Sequence, residues 1–467
     1  MPSSATLVEC EFAKRVVMKI NGYLLGSTVV AALGGLLFGF DTAVIAGTTR
    51  GLSAAYHLTQ GSLGATVASA LVGTIFGAML AGIPGDHFGR RDSLRGTAIL
   101  YFVSAAGAAS AWNWYALIFF RFVGGLGIGA SSVLGPMYVA EISPARLRGR
   151  LVGFFQFNVV LGILLAYLSN YLVSLVNLGA TEWRWQFGIS AFPSALFFLL
   201  LFTIPRSPRW LAEKGRIEEA RGVLKKTGEP EYEKALRDII DSIGQQQGQA
   251  NEPLFQKRYR FPIFLAISIA MFNQLAGINA ILYYLNDIFA HAGFGKLSSG
   301  LQAVAIGATN LVFTVIGMSV IDKAGRKILL LTGAVGTAVC LGGVATIFAT
   351  SRHQSFLLWL LVAYIAFFAL SQGAVIWVYL SEVFPTPVRA KGQSLGAFTH
   401  WIMNAMIAWT FPTIAAISGG VPFMFFAALM VVQFVVVLLF YPETKGVSLE
   451  EMQRRLEGTA AQELSSH

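Results

Sequence analysis

Two charged residues interrupt apolar stretches of this 467-residue chain: Asp41 in Gly39-Phe40-Asp41-Thr42, and Arg121 in Phe120-Arg121-Phe122. A charge in an apolar span is costly and faces a protein interior rather than lipid. The pair admits two readings. It is a permanent ion pair that fixes packing, or Asp41 is a titrating carboxylate. In the second reading Arg121 holds Asp41 ionised, and a change in that contact couples a proton to a change of shape. Amides form a second group: Gln156, Gln274, Asn279 and Asn310 lie in apolar runs, as does Trp377. An amide both donates and accepts. That suits a hydroxyl-rich ligand or, alternatively, hydrogen bonds between helices. On an ideal helix Gln274 and Asn279 stand about 140° apart. Both can face one ligand only if the helix bends, and Gly277 between them permits a bend.

A third group mixes acids and bases: Asp86, Arg90 and Arg91, then Glu141, Arg146 and Arg150, then Asp322 and Arg326, then Glu382 and Arg389. As solvated surface pairs these are worth about 0–1 kcal/mol each. As pairs between helix ends they form in one state and break in another, which makes a gate. Other chemistries lack their signatures. No Gly-rich loop ends in Lys and Ser/Thr, so no ATP site is expected. The run Gly124-Gly125-Leu126-Gly127-Ile128-Gly129 has no strand before it and reads as close helix packing. Two cysteines, Cys10 and Cys340, make neither a disulfide framework nor a zinc site. No metal, cofactor or enzyme constellation is expected.

The elements that must position these groups follow from composition. Apolar residues are 55% and charged residues 12%, against about 25% charge in soluble chains; mean hydropathy is +0.63. The 49 Gly and 36 Phe suit packed helices in a membrane. A span needs about 20 mostly apolar residues. Twelve such runs occur, at about 22–47, 62–84, 95–112, 115–140, 149–173, 185–204, 259–290, 299–321, 328–349, 356–381, 392–415 and 421–441. Residues 11–20 mix Lys14, Arg15 and Lys19 with apolar residues, and the following run is too long for a cleavable signal.

An even number of spans puts both termini on one side. That side, with the loops 85–95, 141–150, 205–258, 322–327 and 382–391, holds 29 of the 34 Lys and Arg. The other side holds Arg50, Arg184, Lys296 and Arg352, and Arg121 lies within a span. The basic side is therefore expected to be cytoplasmic. The net charge of +10 reads as topology and lipid headgroup contact rather than nucleic-acid binding. In the longest loop, 208–243 reads as short amphipathic helices and 244–252 as a flexible linker.

The halves on either side of that loop echo each other. Gly85-Asp-His-Phe-Gly-Arg-Arg91 follows span 2, and Asp322-Lys-Ala-Gly-Arg-Lys327 follows span 8. Glu141-Ile-Ser-Pro-Ala-Arg146 follows span 4, and Glu382-Val-Phe-Pro-Thr-Pro-Val-Arg389 follows span 10. Pro205-Arg-Ser-Pro-Arg209 after span 6 corresponds loosely to Pro442-Glu-Thr-Lys-Gly446 after span 12. Repeated halves are the mark of many secondary transporters, with substrate held between them near mid-membrane.

On these motifs, with Gln-Leu-Ala-Gly-Ile-Asn at 274–279 and Pro-Arg-Ser-Pro-Arg-Trp-Leu at 205–211, the chain resembles the sugar porter family of the major facilitator superfamily from about residue 25 to 450. The resemblance implies an all-α membrane protein. It would have twelve transmembrane helices in two pseudo-symmetric six-helix bundles, 22–204 and 259–441. The segment 205–258 is the helical cytoplasmic linker, 1–21 the cytoplasmic N-terminus and 442–467 the cytoplasmic tail. It implies import of a monosaccharide, glucose- or xylose-like, by alternating access in a monomer. An Asp at position 41 marks proton-coupled members, so Asp41 is the expected proton carrier and Arg121 its partner. Sugar-contacting positions are Gln156, Gln274, Asn279, Asn310 and Trp377, with Asn273, His400 and Asn404 as weaker candidates; Phe38, one turn before Asp41, is placed to cover the sugar.

Four positions depart from the family pattern. Asn273 stands where a second Gln is frequent, so contact through water or none is expected there. His400 replaces Asn or Gln; it can donate to a sugar hydroxyl, titrate, or serve packing. Span 10 lacks its frequent prolines near Gly373–Trp377, which predicts a stiffer hinge. Arg206 replaces a Glu, which predicts a gate one carboxylate short. The rival readings are a facilitative uniporter, a polyol porter such as one for inositol, and a sugar sensor, against which the short stretch after Glu443 argues. Short outer loops and the lack of any Asn-x-Ser/Thr site point to a bacterial inner membrane.

Overall fold

A computed structural model describes residues 21–248, 252–447 and 451. The expectations for the N-terminus before residue 21, for 249–251 of the linker and for most of the tail beyond 447 lie outside the described residues. Among those described there is helix and no strand.

The first half contains α1 (Gly22–Tyr56), α2 (Gln60–Leu80), α3 (Gly82–Phe88), α4 (Arg90–Ala109), α5 (Trp114–Ile142), α6 (Arg148–Leu175), α7 (Glu182–Gly188) and α8 (Ala191–Leu200). Three short helices follow: α9 (Pro208–Glu213), α10 (Ile217–Lys226) and α11 (Tyr232–Gly248). The second half contains α12 (Arg260–Leu275), α13 (Ile278–Tyr283), α14 (Leu285–His291), α15 (Lys296–Ala324) and α16 (Arg326–Thr350). It continues with α17 (Leu357–Leu370), α18 (Gln372–Glu382), α19 (Arg389–Ile417) and α20 (Val421–Phe440). Helix α11 corrects the expected linker, because it runs on through 244–248; the glutamines there are good helix formers. Starts are set by side-chain caps where the sequence supplies them: Asn21, Thr59, Asn113 and Ser207 accept from Tyr23, Ser62, Ala116 and Trp210 N–H groups.

Nine helical stretches among the described residues are long and apolar enough to cross a membrane. The other three expected spans are α4, which opens on Arg90, Arg91 and Asp92; span 6, broken into α7 and α8; and α19, which carries His400 and Asn404.

The two halves repeat one packing scheme. Span 2 packs on span 4, span 1 on span 5 and span 3 on span 6; likewise span 8 on span 10, span 7 on span 11 and span 9 on span 12. The glycine run of α5 serves the first of these. A Cβ on Gly125 would lie 1.9 Å from the Ala70 carbonyl oxygen, and one on Gly129 2.2 Å from that of Thr74. Backbones approach that closely only at glycine. Between the halves α2 packs on α19 and α6 on α15, a symmetric pair of contacts, while α13 and α14 pack on α1.

The cores show how the halves meet. One apolar cluster runs through both at the face away from the basic loops, joining Phe40, Val44, Leu52 and Trp183 to Ile281, Tyr283, Leu285 and Phe289. Towards the basic face the core divides. Leu24, Leu94, Ile142 and Ile204 belong to one half, and Leu265, Ile321, Phe384 and Tyr441 to the other. The short helices α9 to α11 make a small core of their own around Trp210, Leu211, Ala220, Leu224 and Leu236.

Candidate functional site

The centre of the site is built by a break in span 7. Helix α12 stops at Leu275, Gly277 takes φ +82°, and α13 restarts at Ile278. That left-handed conformation is open to glycine. A Cβ there would also lie 2.4 Å from a ring carbon of Phe426, so backbone and packing both require Gly277. The break removes the separation an ideal helix imposes, and Asn279 Nδ2 donates to Gln274 Oε1 at 2.9 Å. Gln274 Nε2 lies 3.2 Å from Asn273 Oδ1 and 3.1 Å from His400 Nε2, and its two N–H groups serve both.

Aromatic rings frame this network. The Trp377 and His400 rings are 5.2 Å apart, His400 and Trp401 5.1 Å, and Trp401 and Phe38 5.8 Å. The last contact crosses from the second half to the first. Gln274 and His400 are buried, whereas Trp377 is 41% exposed. Asn404, one turn from His400, donates to the Tyr283 hydroxyl at 3.1 Å. Asn273, Gln274, Asn279, His400, Asn404 and Trp377 are thus gathered on spans 7, 10 and 11. The described hydrogen bonds do not join Gln156 or Asn310 to them. Gln156 is half-buried on α6, and Asn310, on α15, accepts from Thr314 Oγ1 at 3.4 Å.

Asn273 is hydrogen-bonded within the protein. It accepts from Gln274 and donates to the Gln372 carbonyl at 3.3 Å, which ties the break in span 7 to a break in span 10. Span 10 is interrupted at Ser371 without any proline (φ −115°, ψ −93°). The Ser371 hydroxyl donates to the Phe367 carbonyl at 2.6 Å. It fits against Gly333 of α16, where a Cβ would lie 1.8 Å from its oxygen. The span is thus broken without the prolines: a small residue facing a glycine supplies the discontinuity.

Asp41 and Arg121 form no ion pair among the described residues. Arg121 is buried on α5; its Nε donates to the Thr66 carbonyl at 3.2 Å, and its guanidinium lies 5.5 Å from the Phe187 ring centre. Its Nη1 has no partner among the described residues. Asp41 turns instead towards Gly124, one turn along α5. The permanent-pair reading is therefore corrected: the α2 backbone, not Asp41, holds the arginine.

At the basic face each half builds its cluster around one buried arginine. Arg90 meets Asp86 at 3.2 Å and Glu141 at 3.0 Å, and also approaches Glu213. Arg326 meets Asp322 at 3.1 Å and Glu382 at 2.9 Å. Arg91 pairs with Asp92 at 3.1 Å, and Arg389 donates to the Phe384 carbonyl at 3.1 Å. Arg146 and Arg150 join neither cluster. They are exposed on the turn into α6, and Arg148 is the arginine that folds back, to the Ala140 carbonyl.

Glu443 caps α16 from a distance, accepting from the N–H groups of Arg326 at 2.9 Å and Lys327 at 3.0 Å. Burial pushes its carboxyl up, but the backbone donors, Lys445 N–H among them, outweigh burial and hold it below its ordinary value. In the first half Arg206 occupies the matching place, and its Nη2 reaches Asp92 Oδ2 at 3.1 Å. The network is not a carboxylate short: Asp92, in the first turn of α4, supplies it.

The opposite face holds residues that were not singled out from the sequence. Glu182 of α7 accepts from Lys296 of α15 at 2.5 Å, and Arg50 of α1 meets Asp287 of α14 at 3.4 Å. Both pairs join the two halves. Their signal was rarity, because Arg50 and Lys296 are two of only four basic residues on that side.

The family model described as "Sugar (and other) transporter" matches residues 27–456. The chain belongs to this family. The D-xylose-proton symporter of Escherichia coli (strain K12) is 36% identical, over 93% of this chain and 96% of the relative. The glucose facilitated diffusion protein of Zymomonas mobilis is 35% identical, over 93% of this chain and 97% of the relative. The inward-open structure of the xylose transporter XylE from E. coli superposes with a TM-score of 0.83 at 35% identity, covering 93% of this chain and all of that one. The fold is thus that of a twelve-helix major facilitator transporter, as the repeated halves led us to expect, and its relatives are transporters rather than enzymes.

Proposed function

We infer that this chain imports a monosaccharide by alternating access, together with a proton. The observation that carries the reading is the break at Gly277, which brings Gln274 and Asn279 into direct contact beside His400 and Trp377. Those groups offer donors, acceptors and a ring face, the combination a sugar requires. Gln156, Asn310 and Phe38 approach from the other elements as the halves close. Residues 22–204 and 259–441 are the two rocking bodies. The divided core at the basic face, read as the cytoplasmic face of a bacterial inner membrane, is the path of release. The Arg90 and Arg326 clusters act as the inner gate, and one chain in the bilayer is the working unit.

Asp41 carries the proton. Arg121 stands free of it in this state, and its return to Asp41 is the event that couples deprotonation to the change of access. The test is uptake of labelled D-xylose and D-glucose into proteoliposomes under an inward proton gradient, with and without protonophore. Accumulation above the outside level that the protonophore abolishes is expected. Asp41→Asn is expected to lose accumulation and keep exchange of labelled for unlabelled sugar; loss of exchange with sugar binding intact contradicts the assignment. A facilitative uniporter is the second reading, supported by the similarity to a facilitated diffusion protein. It predicts equilibration that ignores protonophore in both variants.

A further inference from the structure

Beside the two cross-half ion pairs lies a cavity of about 390 Å³, lined by α1, α6 and α7 of the first half and by α14 and α15 of the second. It is separate from the central site: none of Gln274, Asn279, His400 or Trp377 borders it. Its volume falls at the lower end of small-molecule pockets, about 300–1,000 Å³. Buried polar atoms are almost always partnered in native proteins; apart from Thr49 Oγ1, which lies against Asp287, four from its lining residues have no partner among the described residues: Asn170 Oδ1, Trp183 Nε1, Gln186 Oε1 and Asn286 Oδ1. Asn170, Trp183 and Gln186 are each at least nine-tenths buried. The free ends are defined, because the Asn170 amide N–H is committed to the Val44 carbonyl at 3.0 Å and that of Gln186 to Glu182 at 3.3 Å.

The lining therefore presents three carbonyl acceptors and one indole donor. Carbonyl oxygens disfavour an anion. Lys296 and Arg50 at the rim are each matched by a carboxylate, Glu182 and Asp287, so the lining carries no net charge to hold an ion of either sign. A neutral molecule with several hydroxyls satisfies all four atoms, because each hydroxyl donates and accepts. Both halves line the cavity, so it is complete only while they are closed together at this face.

We propose that this cavity is a second, outer binding site for a monosaccharide, occupied from the outside while the transporter is open to the cytoplasm. The identity of the sugar rests on the transport reading; the site itself rests on the orphaned atoms. Because its ligand binds only the outward-closed form, occupancy holds that form and delays return to the outward-open one. Uptake then declines at high external sugar. At a concentration equal to the dissociation constant of this outer site, the unliganded population halves, so the rate of return falls about twofold.

The test is titration of the purified full chain with D-xylose and D-glucose by calorimetry, with hydrogen exchange at the outer ends of α1 and α14. The wild type is expected to bind two equivalents. Gln274→Ala with Asn279→Ala, which disables the central site, is expected to retain one equivalent and to gain protection at those helix ends on adding sugar. Adding Gln186→Leu, or Asn170→Leu if that variant folds poorly, is expected to remove the remaining equivalent. Gln186→Leu alone is expected to abolish the decline of uptake at high external sugar. One equivalent in the wild type with none in the central-site variant overturns the proposal and leaves the transport reading standing. No binding of either sugar by the wild type overturns both.

Discussion

The two faces of the molecule use the same chemistry to opposite ends. At the face away from the basic loops, Glu182–Lys296 and Arg50–Asp287 cross between the halves, and one apolar core runs beneath them. At the basic face the Arg90–Glu141 and Arg326–Glu382 pairs each stay within one half, and the core is divided in two. Pairs that cross join the two halves, and on the transport reading they break when that face opens. Pairs that stay within a half shape the helix ends of each body, the ends that on the transport reading form the inner gate. Interfaces of this kind are bistable, and a few weak cross-half contacts are enough to choose between two well-packed alternatives.

The comparison breaks most readily at the basic face. Arg90→Ala leaves Glu141 buried without its cation, and is expected to cost about 3–5 kcal/mol, read as denaturant or thermal unfolding in detergent. Arg326→Ala is expected to cost less, because Glu382 is more exposed than Glu141 (24% against 10%). Equal losses would mean that the two halves are not differently buffered.

Gly277→Val tests the other side of the comparison, since α13 and α14 carry the closed face. The left-handed backbone alone costs about 1–2 kcal/mol, and the clash with Phe426 adds to it. Binding of sugar is expected to fall further than stability, because Gln274 and Asn279 separate when the break is lost.

Glu182→Gln sharpens the reading of the cross-half pairs. A partly exposed pair is worth up to about 1 kcal/mol. The variant is therefore expected to move the population about fivefold towards the outward-open form, read from spin-label distances across that face. Arg50→Gln is expected to do less, since its pair is longer and its carboxylate is more exposed (Asp287 20% against Glu182 9%). Asp86→Asn or Asp322→Asn is expected to move that distance less still, since these carboxylates are 73% and 82% exposed.

The smallest effect concerns pH. The carboxyl of Glu443 is held below its ordinary value in the folded chain. Its contribution is therefore present above the unfolded value and lost as pH falls through the folded one. Stability measured from neutral to acid pH is expected to show that loss in the wild type and to lack it in Glu443→Gln. The substitution itself should cost about 0.5–2 kcal/mol at neutral pH, as for a lost helix cap.

Much of this was legible in the chain. Apolar runs of the right length set the spans, the asymmetry of Lys and Arg set the expected orientation, and paired motifs set the two halves. Gly277 between two amides set the bend. Those signals are local, or repeat at a fixed order, and need no neighbour to interpret them. What the chain did not disclose depends on which elements meet. Arg121 finds the Thr66 carbonyl rather than Asp41 because helix packing, not charge alone, decides its reach. Span 10 breaks at Ser371 because Gly333 on another helix makes room for it. Asp92 answers Arg206, and Glu182 answers Lys296, across distances in sequence that no motif spans. Sequence alone fixed that the protein lies in a membrane as two similar halves with polar groups between them, since burial and periodicity act residue by residue. Only the tertiary structure decided which charges pair, which face is closed and where the outer cavity lies, since those follow from how two rigid bodies are set against each other.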